Sequence, residues 1–344
     1  MDIKQYRKVN ESFRRRLIFH VGIDSGLFVE LNYLINAILY GLTHQIRIEL
    51  YSEDANFGTG TGWTEYFAPF CEEVHEPFHR RYNFHRPPSW KRIIQKKSLR
   101  FVAWKLKTIG KTVIGRWLAY RVYGGYVLLT QNIPANPDKH YCVPALAIDS
   151  DYTEAYGMVA RMIWRFQPMV GAQAVNFRHA LHLPPVYAAA QIRGGDKQTE
   201  ATLIDGKIIL QQINLPMGNW VFILTDDYRL LEKARADFPK LHIVSLCQPT
   251  ERGYVHQEFC KTTPRQKREA ITRLLVSVDL ILRSHSFVGS ITTGPSVFVL
   301  KIRANDPLVK AIDCPPHLLK ETLPLTIGRR AVISKEAILQ CHKK

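Results

Sequence analysis

The longest candidate for an uninterrupted apolar run, Leu27 to Tyr40, is broken by Glu30, Asn32 and Asn36. A membrane-crossing helix needs roughly 20 apolar residues, so none is expected. Six cysteines (Cys71, Cys142, Cys247, Cys260, Cys314 and Cys341) include no C-x-x-C pair and no zinc-type spacing with histidine. That pattern argues against a disulfide framework and against a metal site, and it favours a reducing, cytoplasmic setting. After Arg14-Arg15-Arg16 the apolar stretch is interrupted by His20 and Asp24, which is not how a signal peptide reads. Internal repeats and low-complexity tracts are also lacking. Acidic residues are missing altogether between Glu76 and Asp138, in a chain of 344 residues with a formal net charge of +17. Such an imbalance calls for an anionic partner: phosphorylated substrate, lipid headgroup or nucleic acid.

What is present is an alternating pattern. Leu17 to Val21 reads as a strand, Asp24-Ser25-Gly26 as a turn, Phe28 to Thr43 as a helix and Gln45 to Tyr51 as a second strand. From Val186 the alternation becomes regular. Strands are expected at Val186 to Arg193, Trp220 to Thr225, His242 to Leu246 and Phe287 to Ser290. Helices are expected at Lys207 to Leu215, Tyr228 to Asp237, Pro264 to Leu282 and from Gly294. Apolar strands alternating with helices predict an α/β fold with doubly wound parallel sheets, and the length predicts two lobes. The expected division is residues 1–180 as an N-terminal α/β lobe holding a basic amphipathic segment at 77–137, residues 181–303 as a nucleotide-binding lobe, and residues 304–344 as a C-terminal tail packing back on the lobes.

Ligands of such sheets bind beyond the carboxyl ends of the strands, and three polar clusters fall there. Arg193 ends an apolar strand, and Gly194-Gly195 after it let a ligand or another loop approach the backbone. Asp196, Lys197 and Glu200 follow in the same loop as acid, base or relay groups. Thr225-Asp226-Asp227 reads either as a carboxylate pair for a cation or as a helix cap, the cap being preferred. Ser290 to Ser296 sets Thr292, Thr293 and Gly294 between a strand and a helix, which reads either as an anion cradle or as an N-cap by Thr292 or Thr293.

These residues resemble the α-1,6-fucosyltransferases of the core-fucosylating and nodulation type, with protein O-fucosyltransferases as distant relatives. Gln191-Ile192-Arg193-Gly194-Gly195-Asp196-Lys197 with Thr199-Glu200-Ala201 is similar to that family's H-x-R-R-T-D-K loop and its T-E-A. Phe222 to Asp227 resembles its T-D-D strand end, and Phe287 to Ser296 its hydroxyl-rich turn. Gly26, the helix Leu31 to Thr43, Gln45 to Leu50 and Gly62 to Pro69 extend the likeness to the N-terminal half. Gln191 stands where the family has His and Gly194 where it has a second Arg, and Glu200 lies one residue nearer to Asp196.

The resemblance implies a two-lobed GT-B-like glycosyltransferase with Rossmann-like sheets, inverting and metal-independent. GDP-fucose would be the donor, no cofactor would be needed, and a glycan hydroxyl would be the acceptor, with a lipid-linked glycan among the candidates. It implies that Arg193 neutralises the leaving phosphate and that Glu200 is the general base, oriented by Asp196 and Lys197. Gly26, Gln191, Thr225, Asp226, Asp227, Ser290, Thr292, Thr293 and Gly294 would bind the donor. Transfer from another nucleotide sugar and a non-catalytic basic binding protein are the alternatives.

The acid-free segment interleaves Trp90, Ile93, Ile94, Leu99, Phe101, Trp104, Leu106, Ile109, Trp117 and Leu118 with its cations. Two readings stand: helices lying peripherally on an anionic membrane surface, or a basic helix packing its apolar stripe on the core. No nucleic-acid reading module is recognisable, so nucleic acid is not expected as a partner.

Overall fold

The computed structural model describes residues 1–23, 25–83, 90–195 and 204–326. Contacts divide the chain into two compact units, one of Met1–Pro134 with Tyr141–Ser150, the other of Ala135–His140 with Asp151 onward. The division falls nearer residue 150 than 180.

The first unit runs α1 (Ile3–Ser12), β1 (Arg15–His20), α2 (Leu27–His44), β2 (Ile46–Tyr51), α3 (Phe78–Tyr82), α4 (Trp90–Lys96), α5 (Leu99–Tyr123), β3 (Val127–Thr130), β4 (Tyr141–Val143) and β5 (Ile148–Ser150). A parallel sheet forms in the order β2-β1-β3, and β4 and β5 pair antiparallel. Leu17, Ile18 and Phe19 of the central strand are fully buried. They form a strand because apolar side chains on both faces need covers on both sides. Helix α2 supplies one cover through Leu31, Leu34, Ile35 and Ile38 and stops at Gln45, whose left-handed φ of 53° returns its N–H to Gly41. The free edge of β2 is blocked by buried Asn10 of α1. Its amide donates to the Ile48 carbonyl at 2.9 Å and accepts from the Ile48 N–H at 2.8 Å, as a neighbouring strand would.

The second unit runs α6 (Tyr152–Ile163), α7 (Pro168–Ala180), β6 (Ala188–Gln191), α8 (Gly206–Gln211), β7 (Trp220–Leu224), α9 (Tyr228–Asp237), β8 (His242–Val244), α10 (His256–Phe259), α11 (Pro264–Arg283), β9 (Ser286–Gly289), α12 (Gly294–Ile302), β10 (Val309–Ala311) and α13 (Pro316–Leu325). Its sheet is all parallel in the order β10-β9-β6-β7-β8. On one face Ala188, Ala190, Val221 and Ile223 pack with Ile209 and Leu210 of α8 and Leu231 and Ala234 of α9. Helix α11 contacts β7 but contributes no residue to that cluster, so among the described residues the sheet is covered on both faces. Residues 304–326 belong to this unit, with β10 as an edge strand.

The strand order fixes where a ligand can sit. The chain enters at β6, proceeds outward through β7 to β8, then returns to place β9 on the other side of β6. Connections leaving β6 and β9 therefore diverge to opposite sides and open a crevice at their carboxyl ends, the switch point of a doubly wound sheet.

Candidate functional site

Arg193 and Ser290 to Gly294 flank this crevice, because they follow β6 and β9; Thr225-Asp226-Asp227 follows the next strand, β7. Asp226 organises the loops on its side. Its Oδ1 accepts from the Gly194 N–H at 2.8 Å, and its Oδ2 accepts from the Tyr254 N–H at 2.8 Å while lying 2.8 Å from a guanidinium nitrogen of Arg193. The guanidinium also rests over the Tyr254 ring, 5.3 Å from its centroid. Arg193 thus has a fixed orientation while its side chain stays 21% exposed.

Both glycines after Arg193 have a structural reason. Gly195 has φ +63°, and a Cβ there would come 2.4 Å from the Tyr254 carbonyl oxygen; a Cβ on Gly194 would come 3.0 Å from the Cβ of Asp227. Of the two readings left open by the sequence, close approach by another loop is the one observed, the loop being Gly253-Tyr254.

Asp227, not Asp226, caps the following helix. Its Oδ1 accepts from the Arg229 N–H at 3.0 Å, and the Arg229 side chain paired with it holds its carboxyl below the usual range. Thr225 is buried and accepts the Asp227 N–H at 3.3 Å. Among the described residues no cluster of His, Cys, Asp and Glu could hold a metal ion.

Gln191 and Asp313 pin the turn after β9 from two sides. Buried Gln191 accepts hydrogen bonds from the Thr293 hydroxyl at 2.8 Å and from the Ser296 hydroxyl, tying the end of β6 to the start of α12. Asp313, just beyond β10, accepts from the Ile291 N–H at 2.9 Å and from the Ser290 hydroxyl. Burial pushes its carboxyl up despite these donors. Gly289 is required here, since a Cβ would meet the Ser296 hydroxyl at 2.3 Å.

The N-cap reading of this turn is half right. Thr293 occupies the N-cap position but makes no side-chain cap hydrogen bond, because its hydroxyl is turned to Gln191. The Thr292 N–H is taken by the Ser290 hydroxyl at 3.1 Å. What remains for an anion is the first turn of α12, opened by Gly294 with Pro295 behind it and left without a side-chain cap.

Gly26 lies in the first unit as the N-cap position of α2, with an ordinary φ of −63° and nothing within 4 Å of where a Cβ would stand. Asp196, Lys197 and Glu200 lie outside the described residues. Sequence reasoning missed Asp313 and a hydrogen-bonded chain in the first unit that starts at two buried histidines. In that chain His20 Nε2 lies 2.9 Å from His79 Nδ1, His79 Nε2 lies 2.7 Å from the Tyr123 hydroxyl, and Tyr123 donates to Glu76. Burial lowers His20 to about 3 and His79 to about 4, so both rings are neutral. A histidine inside an apolar strand run, as in Leu17-Ile18-Phe19-His20, was the available signal.

No family model and no curated protein sequence matches the chain. Solved structures do. The fucosyltransferase NodZ from Bradyrhizobium is 13% identical, with 89% of this chain and 98% of that one covered and a TM-score of 0.52. A NodZ alpha-1,6-fucosyltransferase structure soaked with GDP-fucose gives 11% identity, 84% and 92% coverage and a TM-score of 0.50. Arabidopsis thaliana FUT1 in complex with GDP gives 8% identity, 87% and 71% coverage and a TM-score of 0.50. At such identities the likeness is one of fold, and it spans most of the chain: this protein has a fucosyltransferase-like, GT-B-like α/β fold.

Proposed function

We propose that the chain is an inverting glycosyltransferase that moves fucose from GDP-fucose to a sugar hydroxyl of a glycan, without a metal ion. The observation that carries this reading is the Arg193 guanidinium, oriented by Asp226 beside the switch-point crevice, across which the first turn of α12 has no side-chain cap. Two structural neighbours, one soaked with GDP-fucose and one in complex with GDP, support the choice of donor.

In this reaction the acceptor oxygen attacks the anomeric carbon while the bond from that carbon to the phosphate oxygen breaks. Negative charge develops on the leaving diphosphate. Arg193 and the α12 terminus meet it with charge and dipoles already in place, commonly the largest catalytic contribution. Glu200 takes the acceptor proton, with Asp196 and Lys197 orienting it, while Thr225 and Asp227 shape the donor pocket. The enzyme works in the cytoplasm at a membrane surface, on a lipid-linked glycan.

A non-catalytic nucleotide-binding protein is the second reading. It is favoured by Gly194, packed where the resembling family has a second arginine. GDP release from GDP-fucose separates the two. Slow release without acceptor, unaffected by a strong chelator, is expected of the transferase. No release with any acceptor leaves the binding protein, and loss on chelation restored by Mg²⁺ or Mn²⁺ overturns the metal-free mechanism.

A further inference from the structure

Helix α5 is turned the wrong way round for an ordinary surface helix. Leu106, Ile109, Val113, Trp117 and Tyr120 recur every three or four residues and so share one face, yet their exposure runs from 45% at Ile109 to 60% at Val113 and Trp117. The side chains it buries instead are small: Thr108, Gly115 and Ala119. Thr108 and Thr112 satisfy their hydroxyls on the helix's own carbonyls, each at 2.9 Å, so this inner face needs no polar partner. Ala119 packs with Ile18, Tyr51 and Val127 of the first unit's core. Of the two readings left open by the sequence, packing of this stripe on the core is the one its exposure does not fit: the stripe faces outward.

At 3.6 residues per turn, exposed Arg121 and Lys107 fall on one flank of this stripe and exposed Arg116 on the other, while exposed Arg100 lies farther round the helix. Helix α4 before it exposes Trp90 and Ile94 with Lys91 and Lys96. No acidic residue occurs from 77 to 137 to repel an anionic surface. Among the described residues no helix is long and apolar enough to cross a membrane, so α5 can lie in one leaflet but not span it. An apolar stripe with cationic borders matches the interface of a bilayer, where acyl chains receive the stripe and anionic headgroups the borders.

We infer that α5, with α4 beside it, docks the protein on a membrane containing anionic lipid, burying Leu106, Ile109, Val113 and Trp117 among the acyl chains. A protein groove would need carboxylates on both sides of the stripe; a second copy of this segment would bring more cations. The inference rests on α4 and α5 and stands whether or not the donor reading holds.

The test uses the full chain and vesicles of phosphatidylcholine with or without phosphatidylserine, read by co-sedimentation and tryptophan emission. Expected are binding to the anionic vesicles with a blue shift, weak binding to the neutral ones and partial release by salt. The variant carrying Ile109→Ser, Val113→Ser and Trp117→Ser is expected to lose binding by about tenfold or more, with thermal midpoint and GDP binding unchanged. Replacing Lys107, Arg116 and Arg121 with Gln should weaken binding at low salt only. Equal binding of wild type to both vesicles, or none to either, overturns the inference. So does a concentration-dependent dimer that the Ser variant dissolves while vesicle binding persists.

Discussion

Arg193 is a guanidinium whose direction is set by one carboxylate, and that carboxylate also holds two backbone N–H groups from separate loops. Asp226→Asn keeps the size but puts an amide N–H₂ or a single oxygen where two oxygens accepted three donors. At least one donor then meets another donor, which costs about 1–3 kcal/mol for a buried group left unsatisfied. Urea unfolding should show that loss with an unchanged m-value, and GDP release should fall because Arg193 is no longer aimed. A variant with wild-type stability and rate would show that Asp226 organises nothing.

At this scale the sequence was partly legible. Arg193 and a cap somewhere within Thr225-Asp226-Asp227 could be placed because a strand end and a helix start have local signatures, although which of the three caps could not. Gln191 and Asp313 could not be assigned their partners: Gln191 accepts from residues 102 and 105 positions away, and Asp313 from residues 22 and 23 positions away. No local pattern encodes such distances.

Among elements, helix α9 runs over the residues its periodicity predicts, Tyr228 to Asp237, and α11 ends within a residue of its predicted stop. Capping explains the agreement: Asp227 starts the first, and a Thr263–Gln266 capping box with Pro264 starts the second. Strand β6 is shorter than the apolar run Val186 to Arg193 that announces it. Its pairing ends at Gln191, because Gly194 and Gly195 leave the sheet to meet Gly253-Tyr254. For α5 the period of the apolar residues was readable but the direction of the stripe was not. Periodicity defines which residues share a face and is silent on whether protein or another medium covers it.

For the whole molecule, acid should be destabilising in a defined window. His20 and His79 are neutral in the fold because burial lowers them to about 3 and about 4, whereas the unfolded chain protonates them near the ordinary 6.5. Between those values the unfolded state binds more protons, so stability is full above about 6.5 and is lost as pH falls toward the folded values. Each histidine then contributes up to about 1.4 kcal/mol per pH unit. Carboxyls raised by desolvation, such as half-buried Asp54 and buried Asp313, act in the opposite direction. The difference between wild type and His20→Gln isolates one ring, since the Gln amide can still donate to His79. Unfolding free energies from pH 7 to pH 5 should fall more steeply in wild type, and parallel profiles would contradict the neutral pair.

The proposed donor site joins one guanidinium, one uncapped helix terminus and one nucleotide. Calorimetric titration of wild type and Arg193→Ala with GDP, UDP and ADP tests it most directly. GDP is expected to bind wild type well above UDP and ADP, and to lose that binding in Arg193→Ala with the thermal midpoint nearly kept, because a partly exposed ion pair contributes only about 1 kcal/mol to folding. Equal affinities for the three nucleotides, or a folded Arg193→Ala that binds GDP like wild type, would contradict it.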